Sequence, residues 1–373
     1  MAAGTALVAW KLSDGGHGSG GSPSAGKSSS PARTAPRTTA PPPVRKPGEQ
    51  IWAFRTDDSV LTAPAVANGV VYFGSNDKNL YSVDAATGRK LWSFPTSNVV
   101  YSSPAVVDGV VYFGSHDDAL HALDAATGRK RWSFPVPDSV DGPPLVAGGV
   151  VYVGSNDESF YAVDAATGTK RWSFRCRSGG TLNSKPAAAG GLVYFGSWDR
   201  HLYALDAATG KKRWEFAGSD LMDFAPVAAG GLVYITSNRL YALNAATGTQ
   251  RWAKTGAKLK VVKDGYRSFL SPTVSGGVVY VGDEIQNVYA FDAANGAQRW
   301  VFRTEGSNFS APAVADGVVY FGCDDKNLYA VDTATGRKRW TFTTQAEIQA
   351  PVTVADGVVY AASKDNSVYA VKI

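Results

Sequence analysis

Cysteine is nearly absent: the 373 residues contain two, Cys176 and Cys323. That excludes a disulfide framework and a Cys-x-x-Cys metal or redox motif. No cysteine precedes position 176, so nothing in the N-terminal part can accept a lipoprotein acyl chain. Histidine is scarce too, with His17, His116, His121 and His201 scattered along the chain. No Ser/His/Asp set, glycine-rich phosphate loop or zinc spacing occurs. No apolar run reaches the roughly 20 residues that a membrane helix needs. An excess of one charge is also missing from most of the chain. The formal charge is +5, but residues 1–50 hold six Lys or Arg against two acids, which leaves about +1 for the rest. The basic balance belongs to the tail and is no nucleic-acid footprint.

What is present is repetition. The phrase Ala122-Leu-Asp-Ala-Ala-Thr-Gly-Arg-Lys-Arg-Trp132 recurs about every 40 residues, in copies starting at Ser82, Ala122, Ala162, Ala204, Ala242, Ala290 and Ala330. A period of this size signals stacked or circular units, none of which buries its apolar surface alone. Each unit has four apolar pieces of four to six residues; in one copy they are Ser103-Pro-Ala-Val-Val, Gly109 to Gly114, Leu120 to Asp124 and Arg131-Trp-Ser-Phe. They are rich in Val, Tyr, Phe and Trp, and too short for helices. Both alternating faces are apolar, so each sheet is expected to be covered on both sides. Asp-Gly, Asn-Gly and Gly-Gly pairs predict two-residue hairpins with positive φ. Asp-Ala-Ala-Thr-Gly predicts a turn in which Asp124 accepts amide hydrogens and Gly128 takes the left-handed conformation. One aspartate per unit, spread around a ring, cannot converge on a metal ion.

Four short antiparallel strands per unit match a β-propeller blade. The last unit stops at Ile373 with its phrase barely begun, while Gly48-Glu-Gln-Ile-Trp52 has the glycine-to-tryptophan spacing of Gly88 to Trp92. The sequence therefore predicts an all-β fold: an eight-bladed β-propeller of four-stranded antiparallel blades, closed by pairing of the N- and C-terminal strands, which also removes an open edge. The eight outer strands carry Trp52, Trp92, Trp132, Trp172, Trp214, Trp252, Trp300 and Trp340. Equal spacing around a ring makes these indoles packing groups and not a ligand cage.

The phrase Ala-x-Asp-x-x-Thr-Gly-x-x-x-Trp resembles the tryptophan-docking motif of eight-bladed propellers of the pyrroloquinoline quinone (PQQ) repeat type, over about residues 48–373. Members include quinoprotein alcohol dehydrogenases, an outer-membrane protein-assembly lipoprotein, and propellers attached outside the membrane to actinobacterial serine/threonine kinases. The resemblance implies that each indole stacks on the glycine of a neighbouring motif: Gly88, Gly128, Gly168, Gly210, Gly248, Gly296 or Gly336. It leaves the quinone as an expectation of resemblance alone: the family enzymes have adjacent cysteines, a calcium set and large insertions, whereas this chain has no Cys-Cys pair, is short and has only one long loop. The WD-repeat class is similar in period, but no Trp-Asp ends the strands here.

Ahead of the propeller, residues 1–12 are apolar and lack a basic segment before Lys11. They read either as the tail of a transmembrane helix or as a disordered terminus. Residues 13–47 are rich in Gly, Ser, Pro and Thr and read as a flexible linker. Cys176 and Cys323 fall in blades nearly opposite each other, beyond the ~7 Å Cα limit of a disulfide, so two unpaired thiols are expected. His121 and His201 lie in or beside the strand that usually begins Leu-Tyr-Ala, which predicts packing roles.

Because the repeats are near copies, their departures are informative. Trp-to-Pro spacing is 12 in most units but 14 from Trp172 to Pro186 and 20 from Trp252 to Pro272. The long loop Lys254–Ser268 carries several Lys and Arg with Tyr266. The residues just before the inner strands also vary: Leu61, Tyr101, Asp141, Asn183, Lys185, Asp223, Phe224, Phe269, Phe309, Glu347 and Gln349. Inner strands line the channel, so these residues are expected to rim its mouth as a ligand or peptide site; drift on a solvated loop face is the alternative. The expected function is a non-catalytic binding or sensing module of a monomeric protein outside the cytoplasm, held to the membrane only through residues 1–12, as part of a membrane-anchored signalling protein such as a serine/threonine kinase. The alternatives are an assembly scaffold and a PQQ-dependent dehydrogenase.

Overall fold

The computed structural model describes residues 45–255, 269–307 and 310–373. The apolar residues 1–12, most of the linker, Tyr266 and Phe309 lie outside them. The described residues form eight four-stranded antiparallel sheets and no helix, an eight-bladed β-propeller. Neighbouring inner strands touch around the ring, and the one at Ala65–Ala67 meets the one at Thr353–Ala355.

The sequence dictates each blade locally. All eight predicted hairpins between first and second strands are present, with positive φ at both central residues, as at Asp108 (49°) and Gly109 (73°). The inner strands are shorter than their apolar pieces suggest. They span three residues, as in Ala105–Val107, with the Ser-Pro pair outside. Proline has no N–H for a ladder and so precedes the strand. The second and third strands are the core. Val150–Gly154 and Ser159–Asp164 are buried on both faces except for the last residue. Their side chains pack against the next blade, as where Phe160 stacks on Phe195 with centroids 3.9 Å apart.

The fourth strand carries a β-bulge. In the second unit, Leu123 pairs with Lys130 and Ala122 with Trp132, leaving Arg131 as the extra residue. A bulge re-aims side chains. Here the indole turns toward the neighbouring blade, and Arg131 reaches back to the Asp124 carboxylate at 2.8 Å. Arg171, Arg213, Arg299 and Arg339 repeat that pair. Asp124 also accepts from the Thr127 amide and hydroxyl, as predicted. Arg131 and Thr127 together hold its carboxyl down at about 2.

Every predicted tryptophan–glycine stack is formed. A Cβ on Gly128 would lie 2.7 Å from the Trp92 ring, and the pattern runs through Gly88, Gly168, Gly210, Gly248, Gly296 and Gly336. Seven indoles also donate to a backbone carbonyl of the next motif, as Trp92 does to Ala125 at 3.0 Å. The eighth, Trp340, packs on Gly48, so the N-terminal segment supplies the missing docking glycine as well as the missing strand. Gln50–Arg55 pairs antiparallel with Ser367–Lys372, and the Gly48 amide donates to the Lys372 carbonyl at 2.9 Å. Trp52, Trp252 and Trp300 are buried; the other five docking indoles keep one edge in solvent.

Both cysteines are buried free thiols in separate blades. Burial pushes each up to about 12, which keeps them protonated and unreactive. His121 takes the place of a tyrosine. Tyr81, Tyr161, Tyr203, Tyr329 and Tyr369 each donate to an aspartate four residues earlier. His121 meets Asp117 in the same way at 3.0 Å, and is 7% exposed.

Candidate functional site

On one face of the ring, the loops that follow the outer strands lie against the loops between second and third strands. The Val100 amide donates to the Ser75 carbonyl and the His116 amide to the Val99 carbonyl, and equivalents recur in other blades. Inside that face, the Pro-Ala segments entering the inner strands wall a cavity of about 750 Å³ at the channel. The wall is mostly proline, alanine and serine. Among the described residues its charged members are Asp141, Lys185 and Asp223.

The structure brings together five of the expected rim residues: Tyr101, Asp141, Asn183, Lys185 and Asp223 all line the cavity. Leu61 and Phe224 are half-buried and do not line it, and Glu347 and Gln349 do not line it either; Gln349 donates to Asp324 at 2.9 Å. Phe269 corrects the expectation. It is 1% exposed, packs edge-on against Tyr289 and Phe291, and belongs to the core. The reason is register. Val60, Val100, Val140, Leu182 and Met222 stand four residues before their proline and fill the gap between blades, whereas Phe269 and Ile348 do so from three before. In these two blades the stretch from the gap-filling residue to the proline is one residue shorter, so counting back from the proline misplaced Phe269 by one position.

Asp141 is the most closely attended rim group. Its Oδ2 accepts from the Asn156 amide at 2.9 Å. Its Oδ1 lies 2.7 Å from His116 Nε2, at ion-pair distance but without hydrogen-bond alignment. The His116 ring is tilted against Tyr101 with centroids 6.0 Å apart, and Tyr101 is 46% exposed. Burial pushes the Asp223 carboxyl up to about 6, the Trp198 indole opposes that shift, and the negative charge of Asp141 adds to it. Lys185 stays wetted by the channel, yet the walls crowd its ammonium and lower its pKa.

His116, Asn156 and Trp198 were missed in the sequence. They occupy one column, the residue between the conserved-looking serine and aspartate of the second-to-third loop, which also holds Asn76, Asp324 and Lys364. That column varies as much as the rim does. Its neighbours Ser-x-Asp are fixed by turn hydrogen bonds, so the middle residue alone was free to change.

Among the described residues, no group of three or more His, Cys, Asp or Glu could hold a metal ion. No helix of the described residues is long and apolar enough to cross a membrane. The family model described as outer membrane protein assembly factor BamB matches residues 44–104, 96–217, 199–325 and 286–373. No curated protein matches the chain. Among solved structures, BamB from Moraxella catarrhalis superposes with a TM-score of 0.74 at 20% identity, covering 87% of this chain and 99% of that one. A computationally designed protein, Ika8, gives 0.77 at 18% identity, covering 87% and 100%. Quinohemoprotein alcohol dehydrogenase from Comamonas testosteroni gives 0.71 at 17% identity, covering 86% and 76%. At such identities these likenesses carry the fold alone.

Proposed function

The chain belongs to the propeller family described as outer membrane protein assembly factor BamB, and from that premise we propose that it is a non-catalytic binding module of the cell envelope. Its channel mouth holds a protein, peptide or small-molecule partner. One observation carries this reading: in a ring whose docking motifs are near copies, side chains that differ from blade to blade converge on one cavity. Tyr101, Asp141, Asn183, Lys185 and Asp223 are not needed to close the ring. Withdrawing the Asp141 and Asp223 carboxylates from water there costs stability, which a structural wall of alanine and serine would avoid.

The family match favours a protein as the partner, in an assembly scaffold. A sensor module tethered to a signalling domain such as a serine/threonine kinase uses the same mouth, and the Pro/Ser/Thr-rich residues 13–47 would serve it as a spacer. A quinone cofactor fits poorly. PQQ is a tricarboxylate, and the described charged groups of the cavity are one lysine against two aspartates. No adjacent cysteine pair stands beside it.

A photo-crosslinking amino acid at position 101, with the full chain expressed in its host envelope, tests the reading. One discrete adduct is expected, absent when the same group is placed at Leu91 on the outer rim. Equal labelling from both positions would refute a specific mouth.

A further inference from the structure

The three charged cavity residues among those described come from three consecutive blades. Asp141, Lys185 and Asp223 stand on successive entries to the inner strands, with the lysine between the two acids. The seven other blades place Ala63, Ser103, Pro143, Ala225, Ser271, Ala311 and Ala350 where Lys185 stands, so an ammonium at this position is peculiar to one blade. Opposite charges in one small cavity would ordinarily neutralise each other. Here they do not: Lys185 is in none of the ion pairs of the described residues, and Asp223 Oδ1 has no hydrogen-bond partner.

A second observation is independent of the charges. Ser184, 8% exposed, lines the same cavity, and its hydroxyl has no partner. Its counterparts are satisfied: Thr62 and Ser310 exchange hydrogen bonds with Gly74 and Gly322, and Ser102 donates to the Gly142 carbonyl. Asn183 Oδ1 beside it is unpartnered as well. Buried polar groups are normally paired, and a local concentration of exceptions marks where something else completes the pairing. The unmet groups here are acceptors around two carboxylates, together with one lone ammonium.

We propose that the mouth cavity binds a small zwitterion, an amino acid or short peptide, with its ammonium group held by Asp223 and Asp141 and its carboxylate by Lys185. This rests on the binding-module reading and names the ligand class. The ligand's ammonium donates to Asp223 Oδ1 and to the acceptors of Asn183 and Ser184. Lys185 meets the opposite end as a point charge. Tyr101, on the lip, covers the ligand's apolar portion. A volume of about 750 Å³ admits a dipeptide with room for its side chains. Neither a simple amine nor a simple carboxylate satisfies both halves of the cavity.

Isothermal titration at pH 7.5 and low salt tests this on the full chain. The probes are L-alanine, L-alanyl-L-alanine and L-alanyl-L-leucine, with ethylamine and acetate carrying one charge each. At least one zwitterion is expected to bind at least tenfold more tightly than either single-charge probe. Lys185→Met and Asp223→Asn should each weaken it at least tenfold, while the unliganded melting temperature of neither variant falls. Silence from all three zwitterions, equal binding of a single-charge probe, or unchanged affinity in both variants overturns the proposal. A drop in melting temperature in both variants would show that Lys185 and Asp223 satisfy each other, and overturns it too. If the zwitterions are silent while crosslinking at position 101 still yields a discrete adduct, this inference falls and the binding module stands. If both are silent, both fall.

Discussion

At the scale of the residue, Asp223 shows how the same wall can serve a site and burden the fold. Its carboxyl sits at about 6 in the folded chain against an ordinary 3.8, with burial as the main cause. The groups that act on it are the Trp198 indole and the Asp141 carboxylate; the Lys185 ammonium lines the same cavity without pairing to it. A raised acid binds its proton more tightly when folded. Below about pH 4 both states are protonated and nothing is lost; stability then falls as pH rises to about 6, and the penalty is constant above. Asp223→Asn removes it. The variant should melt with the parent at pH 4 and above it at pH 7.5, in calorimetric scans at both values. The turn aspartates do not confuse the comparison. Asp124 and Asp164 are held at about 2 by their arginines and threonines, so what they contribute is lost only as pH falls below about 4.

At the scale of the element, the outer strand does three jobs through one irregularity. The bulge turns the indole onto the neighbouring glycine, frees the next side chain for the turn aspartate, and marks where one blade grips the next. The eight copies are not equal in cost. Trp252 is 9% exposed and Trp132 is only half-buried. Trp252→Ala should cost roughly 3–5 kcal/mol, the usual range for a fully buried aromatic. Trp132→Ala should cost distinctly less, because part of its ring already meets water. Urea denaturation of the two variants gives the ordering, and equal losses would contradict it. The same scale explains what could be read in advance. Strand type, hairpins and the Asp-to-Gly turn follow from residues within one unit and were legible; the docking glycine of the neighbouring unit came with the family resemblance, and the bulge was not anticipated at all. Phe269 was not legible, because its place depends on a one-residue shortening visible only when blades are compared in space.

At the scale of the whole molecule, stability rests on closure. The strand Gln50–Arg55 completes the blade begun by residues 353–372, and Gly48 receives the last indole. Removing residues 48–56 would leave the Ser367–Lys372 strand with an unpaired edge and Gly88 without Trp52 above it. Such edges recruit other chains. The truncated protein should melt earlier, over a broader range, and form oligomers that light scattering detects, whereas the intact chain should not. A monomer with unchanged melting would show that the ring does not depend on its clasp.

By itself the sequence determined the repeat, the strands, the turns, the number of blades and the way the ring shuts. Each of these is set by neighbours within about 40 residues or by one repeat matching another. Only the tertiary structure decided which of the variable residues meet. Asp141, Lys185 and Asp223 lie about 40 residues apart along the chain and in one cavity in space, while Glu347 and Gln349, equally variable, do not line it. The physical reason is that regularity is enforced locally, by backbone hydrogen bonds and side-chain packing within and between adjacent blades. The shared space at the axis belongs to no single blade, so no single stretch of sequence describes it.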